Sequence, residues 1–408
     1  MTELELSLIE ASSEPPDTIL AALNEFEAQR KIHVRVRVFS WSTAWSELVR
    51  VALQKSGPDV SEIGTTWVDS FTSMNSLRPF SRNELATIGG QSAFLPASWA
   101  SGSPPSREQV WSIPWVADTR AIYYRRDLLR QAGIDEQSAF QSPDQLAQTL
   151  HRLQESGVDI PWLMPTAPRP DTLHTLASWV WGAGGHFTSD DGRRTRFNEP
   201  EARAGIRAYF DLHRYMAPSA RNLTDHQANR MYCDGKAAAL IGGYWVLHSI
   251  RRQDAAPEVI ANTGMALVPG IPFVGGSNLA IWEHTRHSKD ALELVRFLSS
   301  QPIQATAVPQ AGLLPVRLDV LNDPPFTTDP LYQVVGQSLQ TGRGLRATYL
   351  WGLAESKLVA ALSELWADTF AAQTAAQTLD LESIVANHLE PLVPMLNRIL
   401  SGKSSTKA

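Results

Sequence analysis

The stretch ELELSL, Glu3 to Leu8, together with VRVRV, Val34 to Val38, and DVSEI, Asp59 to Ile63, decides the fold class. In the first, Leu4, Leu6 and Leu8 alternate with Glu3, Glu5 and Ser7, the period-2 pattern of a strand with one buried face. In the second, three valines alternate with Arg35 and Arg37, and the third continues as an extended run. Between them the period changes to that of a helix. Ile19, Leu23 and Phe26 fall at i, i+4 and i+7, and Trp45, Leu48, Val49, Ala52 and Leu53 at i, i+3, i+4, i+7 and i+8. Strand, helix, strand, helix, strand implies parallel pairing through right-handed crossovers, hence an α/β lobe. Ligands of such sheets bind beyond the carboxyl ends of the strands. That expectation places Glu10 to Glu14, Ser40 to Ser42 and Gly64 to Trp67 on one rim.

Farther along, helices dominate. Ser142-Pro143-Asp144-Gln145 predicts a capping box opening a helix that buries Leu146, Leu150 and Leu153. Another helix is expected over Glu201 to Met216, a short strand over Met265 to Val268, and a helix capped by Ser288 that buries Ala291, Leu294, Val295 and Leu298. Asn322 to Pro330 reads as a surface loop.

At 408 residues the chain exceeds one ordinary core, so two lobes are expected. Basic residues number 36 against 42 acidic ones, a net charge of −6, and no Lys/Arg block marks a nucleic-acid or anionic-membrane footprint. The single cysteine, Cys233, excludes an intramolecular disulfide and a Cys-based metal cluster, and reads as a small buried hydrophobe at a helix start. No run of 18 apolar residues occurs. The opening MTELELSLIEASSE lacks the basic and apolar regions of a secretory signal and carries no lipid-acceptor Cys.

Two further segments carry a family resemblance: IPWVADTRAIYYRRDLLRQAG, Ile113 to Gly133, and YCDGKAAALIGGYW, Tyr232 to Trp245. They resemble signature regions of bacterial extracellular solute-binding proteins of the type 1, maltose-binding-like group. Ser56 to Val60, Leu77 to Phe80 and Ala311 to Pro315 are similar to other motifs of that family, in the same order. The resemblance implies an α/β, two-lobed periplasmic-binding-protein-like fold of type II, with a hinge and the ligand cleft between the lobes. It implies three crossings, near Ala117-Asp118, Phe273 to Gly275 and Pro315 to Arg317, so that residues 1–117 plus 275–315 form one lobe and 118–274 plus 316–408 the other. The implied function is non-catalytic capture of a mono- or oligosaccharide and its delivery to the permease subunits of a carbohydrate ABC importer, by a monomer with no cofactor. The family's home is extracytoplasmic, in the periplasm or at the cell surface; the opening residues leave a cytoplasmic location open as well.

Aromatic faces stack on the C–H faces of sugar rings while carboxylates and amides satisfy the hydroxyls. Trp41 and Trp67 are candidates because they follow strands, with Thr66 beside them and Thr65, Asp69 and Glu14 as weaker rim members. The resemblance implies cleft roles for Trp245 and Trp351, for Asp118 on the hinge strand, for His174, and for the glycine-rich Gly243, Gly275, Gly276 and Ser277, with Tyr244 and Arg346 weaker. Trp99, Trp111, Trp162 and Trp366 are expected in the core.

Enzyme and metal signatures are missing: no HExxH, GxSxG, P-loop or Cys-pair spacing occurs, and Glu283, His284 and His287 read as a polar turn. Three other readings stay open on the residues. The same fold can take glycerol phosphate, a polyamine or a peptide, with Arg343 and Arg346 available to a phosphate. A cytoplasmic solute sensor is a second. A glycoside hydrolase is a third, and it needs two carboxylates where only Asp118 is nominated.

Overall fold

The computed structural model describes residues 2–10, 14–103, 109–345, 351–375 and 379–401. Two compact units are present. One comprises Met1–Asp118, Val274–Asp329 and Gly344–Gly352, the other Thr119–Phe273, Pro330–Arg343 and Leu353–Ala408. Residues 316–329 and 344–352, assigned from the sequence to the second lobe together with Asp118 and Val274, belong to the first unit, so the chain passes between the units five times and not three. For 316–329 the reason is visible in the backbone: Leu95 N–H donates to Val316 O at 2.9 Å, and Val316 N–H donates to Gln304 Oε1 at 2.9 Å.

The strands, in chain order, are β1 Thr2–Glu10, β2 Ile32–Ser40, β3 Val60–Gly64, β4 Ile113–Thr119, β5 Ala121–Arg125, β6 Trp162–Leu163, β7 Ala239–Gly242, β8 Thr263–Ala266 and β9 Val274–Ile281. The first sheet runs β2-β1-β3-β9-β4 and the second β6-β7-β5-β8. Parallel β1–β2 and β1–β3 pairing matches the opening alternation. β9 then pairs antiparallel to β3. Every residue of β3 is buried, as a strand covered on both faces requires.

The crossover helices supply the cover. Asp17–Arg30 buries Ile19, Leu23 and Phe26 as predicted. The next helix, Ala44–Gln54, is rotated from its expected face: Ala44, Leu48, Val51 and Ala52 are buried, whereas Leu53 is 73% exposed and Trp45 36%. The helix Pro143–Glu155 opens on Ser142, whose Oγ accepts from Gln145 N–H, and buries Leu146, Leu150 and Leu153. The helix Ser288–Leu298 is capped at His287 with no side-chain bond, so Ser288 is its first residue and not its cap. The short strand expected at Met265 to Val268 lies at Thr263–Ala266. Cys233 is buried, at the end of the helix Asp225–Cys233 and not at a helix start. Trp99, Trp111, Trp162 and Trp366 are all buried.

Among the described residues, no helix is long and apolar enough to cross a membrane.

Candidate functional site

In the first unit the register brings strand ends level. Glu10 lies opposite Ser40 across β1–β2, and Gly64 lies opposite Ser277 across β3–β9. The β1–β3 ladder pairs Leu6 with Val60 and Ser7 with Ser61. Beyond it, a side chain takes over: Ile9 N–H donates to Glu62 Oε2 at 2.8 Å, and Ser277 Oγ donates to Glu62 Oε1. Glu62 is buried, and burial pushes its carboxyl up to about 7 against the lowering effect of these two bonds. Burial, with the neighbouring Glu62 charge, pushes Glu10 up to about 8. The sequence reading passed over Glu62 as one more position in an extended run. Its signal was a lone charge among Val60, Ser61 and Ile63 in a strand buried on both faces.

Past β3 the chain turns at once. Thr65 N–H donates to Gly276 O at 3.1 Å, and Trp67 N–H to Gly64 O at 2.9 Å. This turn lays the Trp67 indole over Gly64, where a Cβ would meet three ring carbons at 3.1 to 3.4 Å. Trp41 and Trp45 meet the same ring in T-shaped contacts, with centroids at 5.9 and 5.6 Å. Thr65, Thr66 and Trp67 are partly exposed, Glu14 is exposed and Asp69 is buried.

Gly275 and Ser277 are buried and Gly276 is partly exposed. Gly276 has φ +115°, and a Cβ there would lie 2.0 Å from Val116 O, so close backbone packing by itself requires glycine. Ser277 has its hydroxyl directed to Glu62. Asp118 is partly exposed at the end of the first unit's N-terminal segment.

The second unit repeats the indole-on-glycine arrangement. Tyr123 OH donates to Gly243 O at 2.8 Å, fixing the backbone where β7 gives way to the helix Tyr244–Arg251. The Trp245 indole folds back on Gly243, where a Cβ would lie 2.4 to 2.8 Å from ring carbons. The guanidinium of buried Arg120 stands 5.0 Å from the Trp245 ring centroid, a cation–π contact. Trp245 stays partly exposed, while Tyr244 is buried with its hydroxyl 3.3 Å from that of Tyr332.

His174 stacks on Phe273, with centroids 4.3 Å apart and planes at 10°. Its Nε2 lies 3.4 Å from Glu355 Oε1. The contact lacks hydrogen-bond alignment, since neither buried atom has a hydrogen-bond partner. Two polar atoms are thus held together with capacity to spare, a pattern that suits hydroxyl recognition. Trp351 is buried, and its Nε1 also has no hydrogen-bond partner. Arg343 stacks on Trp181 at 5.4 Å and contacts His186 Nδ1 at 3.1 Å; Arg346, its expected companion for a phosphate, lies outside the described residues. Among the described residues, no group of three or more His, Cys, Asp or Glu side chains is placed to hold a metal ion.

Comparison with known proteins agrees with this architecture. Residues 21–334 match the model of the bacterial extracellular solute-binding protein family. The maltotriose-binding protein of Pyrococcus abyssi is 22% identical over 371 residues, 87% of this chain and 75% of that protein. The diacetylchitobiose binding protein DasA of Streptomyces coelicolor is 22% identical over 315 residues, 74% of this chain and 71% of that protein. Among solved structures, an ABC transporter solute-binding protein from Thermotoga lettingae bound with α-D-tagatose superposes with a TM-score of 0.81 at 20% identity, covering 98% of this chain and 100% of that one. The sugar-binding protein MalE of Xanthomonas citri gives 0.81 at 20% identity, covering 98% of each. With the family model spanning well over half of its length, the chain belongs to the bacterial extracellular solute-binding protein family.

Proposed function

We propose that this solute-binding protein takes a neutral mono- or oligosaccharide and hands it to the permease of a carbohydrate ABC importer outside the cytoplasm. The observation that carries the reading is the indole laid on glycine at a strand's carboxyl end in each unit, Trp67 on Gly64 and Trp245 on Gly243. A fixed aromatic face is what a sugar ring stacks on. In this reading Trp41, Thr66, Trp67 and Asp118 contact the ligand from the first unit. His174, Gly243 and Trp245 contact it from the second, where Glu355 joins His174 in accepting hydroxyls. Trp351 supplies a further aromatic ring, and Gly275, Gly276 and Ser277 offer backbone at close approach. The binding partners named for the P. abyssi and S. coelicolor relatives, maltotriose and diacetylchitobiose, support a carbohydrate over a phosphate or a polyamine.

A thermal-shift screen against a carbohydrate panel tests the proposal. A ligand at 100 times its dissociation constant adds about 2.7 kcal/mol of stability, enough to move the transition by several degrees. A shift with neutral sugars, and none with glycerol phosphate or spermidine, is expected. Shifts confined to the latter two overturn it.

A further inference from the structure

Arg120 is 1% exposed, and a guanidinium taken out of water is costly unless its surroundings repay it. Its place is fixed from both sides. β4 ends at Thr119 and β5 begins at Ala121, so Arg120 is the single residue between two strands. Thr119 Oγ1 donates to Phe273 O at 2.8 Å and lies 2.6 Å from Ser338 Oγ. Ala121 pairs with Gly242 across β5–β7. One step outward, this register sets Arg120 level with Gly243, two residues ahead of Trp245.

The same short stretch grips the Gly243–Trp245 segment at two points. Tyr123 OH donates to Gly243 O at 2.8 Å and so holds the backbone. The Arg120 guanidinium, 5.0 Å from the Trp245 ring centroid, holds the ring; its Nη1 also donates to Thr119 O at 3.4 Å. These grips differ in what they fix. An indole turns about its two side-chain torsions, and a bond to the backbone leaves both free. Gly243 limits the ring where they touch, and a planar guanidinium stacked on the ring supplies a second limit. An alkyl side chain would fill the same space without the desolvation cost. What the cation adds is a directional attraction for the ring, strongest when desolvated as it is here. Trp245 remains partly exposed. Held in this way, it loses little freedom when a ligand stacks on it.

We propose that Arg120 is a positioning residue for ligand binding: it touches no sugar itself and fixes the tilt of Trp245, the ring that stacks on one. The proposal rests on the carbohydrate reading above and adds a residue that reading does not use.

The experiment is a double-mutant cycle on the full chain, comparing wild type, Arg120→Met, Trp245→Ala and the double variant. Methionine keeps an unbranched apolar stem and removes the cation. Two readouts are taken: calorimetric affinity for maltotriose and diacetylchitobiose, and near-UV circular dichroism of the free proteins. Arg120→Met is expected to weaken binding about tenfold or more in wild type and less than about twofold once Trp245 is gone. The near-UV difference band it produces in wild type is expected to vanish in the Trp245→Ala background. An equal loss of affinity in both backgrounds means that Arg120 acts on the sugar or on the core at large, and overturns the proposal. So does a loss below about twofold in wild type, or a difference band that persists without Trp245. If wild type binds neither sugar, the carbohydrate reading falls and the near-UV cycle alone decides whether Arg120 orients the ring; the same readout decides if Trp245→Ala binds too weakly to measure. If Arg120→Met shows no cooperative unfolding transition, Arg120→Lys takes its place. Its ammonium keeps the charge without the planar stack, so a loss of about threefold or more that Trp245→Ala abolishes is expected, and an unchanged affinity and spectrum overturn the proposal.

Discussion

Trp245 lies so close against Gly243 that a single methyl group on that glycine would sit 2.4 Å from the indole. Gly243 itself has ordinary extended backbone, φ −88° and ψ −178°. Alanine therefore fits the backbone and is refused only by the ring. Gly243→Ala is expected to fold, to displace Trp245 from Arg120, and to weaken ligand binding by tenfold or more, about 1.4 kcal/mol. Calorimetry measures the loss, and the near-UV circular dichroism of the free protein reports the moved indole. Unchanged affinity with a changed spectrum shows that Trp245 does not touch the ligand.

Gly276 differs because both the backbone and the space around it are restrictive. At φ +115° with Val116 O at 2.0 Å from the added Cβ, alanine meets strain and a clash with main chain that cannot rotate away. Gly276→Ala is expected to cost about 2 kcal/mol or more of stability, within the range of strained and overpacked positions. Urea denaturation checks it. A change in midpoint corresponding to less than about 0.5 kcal/mol contradicts the packing account.

The two raised carboxyls give the protein a pH-dependent stability of definite sign. Glu62 and Glu10 lie near 7 and 8 in the folded chain against an ordinary 4.5. Between those values the folded state binds more protons than the unfolded one. Their contribution is thus complete below about pH 4.5 and is lost as pH rises through 7 to 8, at up to about 1.4 kcal/mol per pH unit for each proton held. Glu62→Gln keeps an acceptor for Ile9 N–H and removes the charge. It is expected to reduce the fall of the thermal midpoint between about pH 4.5 and 7, the window in which folded wild type holds the extra proton on Glu62. Parallel midpoint-versus-pH curves for the two proteins contradict the assignment.

The opening β/α alternation was legible because one face of β1 and of the helix Asp17–Arg30 is buried, and burial of one face writes a period into the sequence. The helix Ala44–Gln54 was misjudged for a physical reason. Its exposed Trp45 belongs to an aromatic surface cluster, so an apolar residue stood where the periodic rule expects a core contact. For Glu62 the sequence offers only a charge inside a buried run; that its carboxyl replaces a ladder bond to Ile9 is not written in spacing, which does not report which side chain crosses a strand gap. The assignment of 316–329 failed because it depends on Val316 bonding to Gln304 and Leu95, contacts distant in sequence. The placement of Trp67 at a strand end could be read in advance, and Trp245 was nominated by the family resemblance; their seating on Gly64 and Gly243 required three dimensions.

His174 and Glu355 offer a separate check on ligand recognition. Each holds a buried polar atom without a hydrogen-bond partner, a cost of about 1 to 3 kcal/mol that a sugar hydroxyl bridging them recovers. Glu355→Leu should therefore stabilise the free protein or leave it unchanged, while binding weakens. Lower stability together with unaltered binding contradicts a recognition role for the pair.

The most direct test of the central claim is calorimetric titration of the purified protein with maltotriose and with diacetylchitobiose, followed by mass analysis of the recovered sugar. Asp118→Asn is run in parallel. The account predicts saturable one-to-one binding of a neutral oligosaccharide, recovery of the sugar intact, and for Asp118→Asn a weakening of about 1 to 3 kcal/mol, that of a hydrogen bond to a charged group. Binding of no carbohydrate, or release of shorter sugars that Asp118→Asn abolishes, contradicts it.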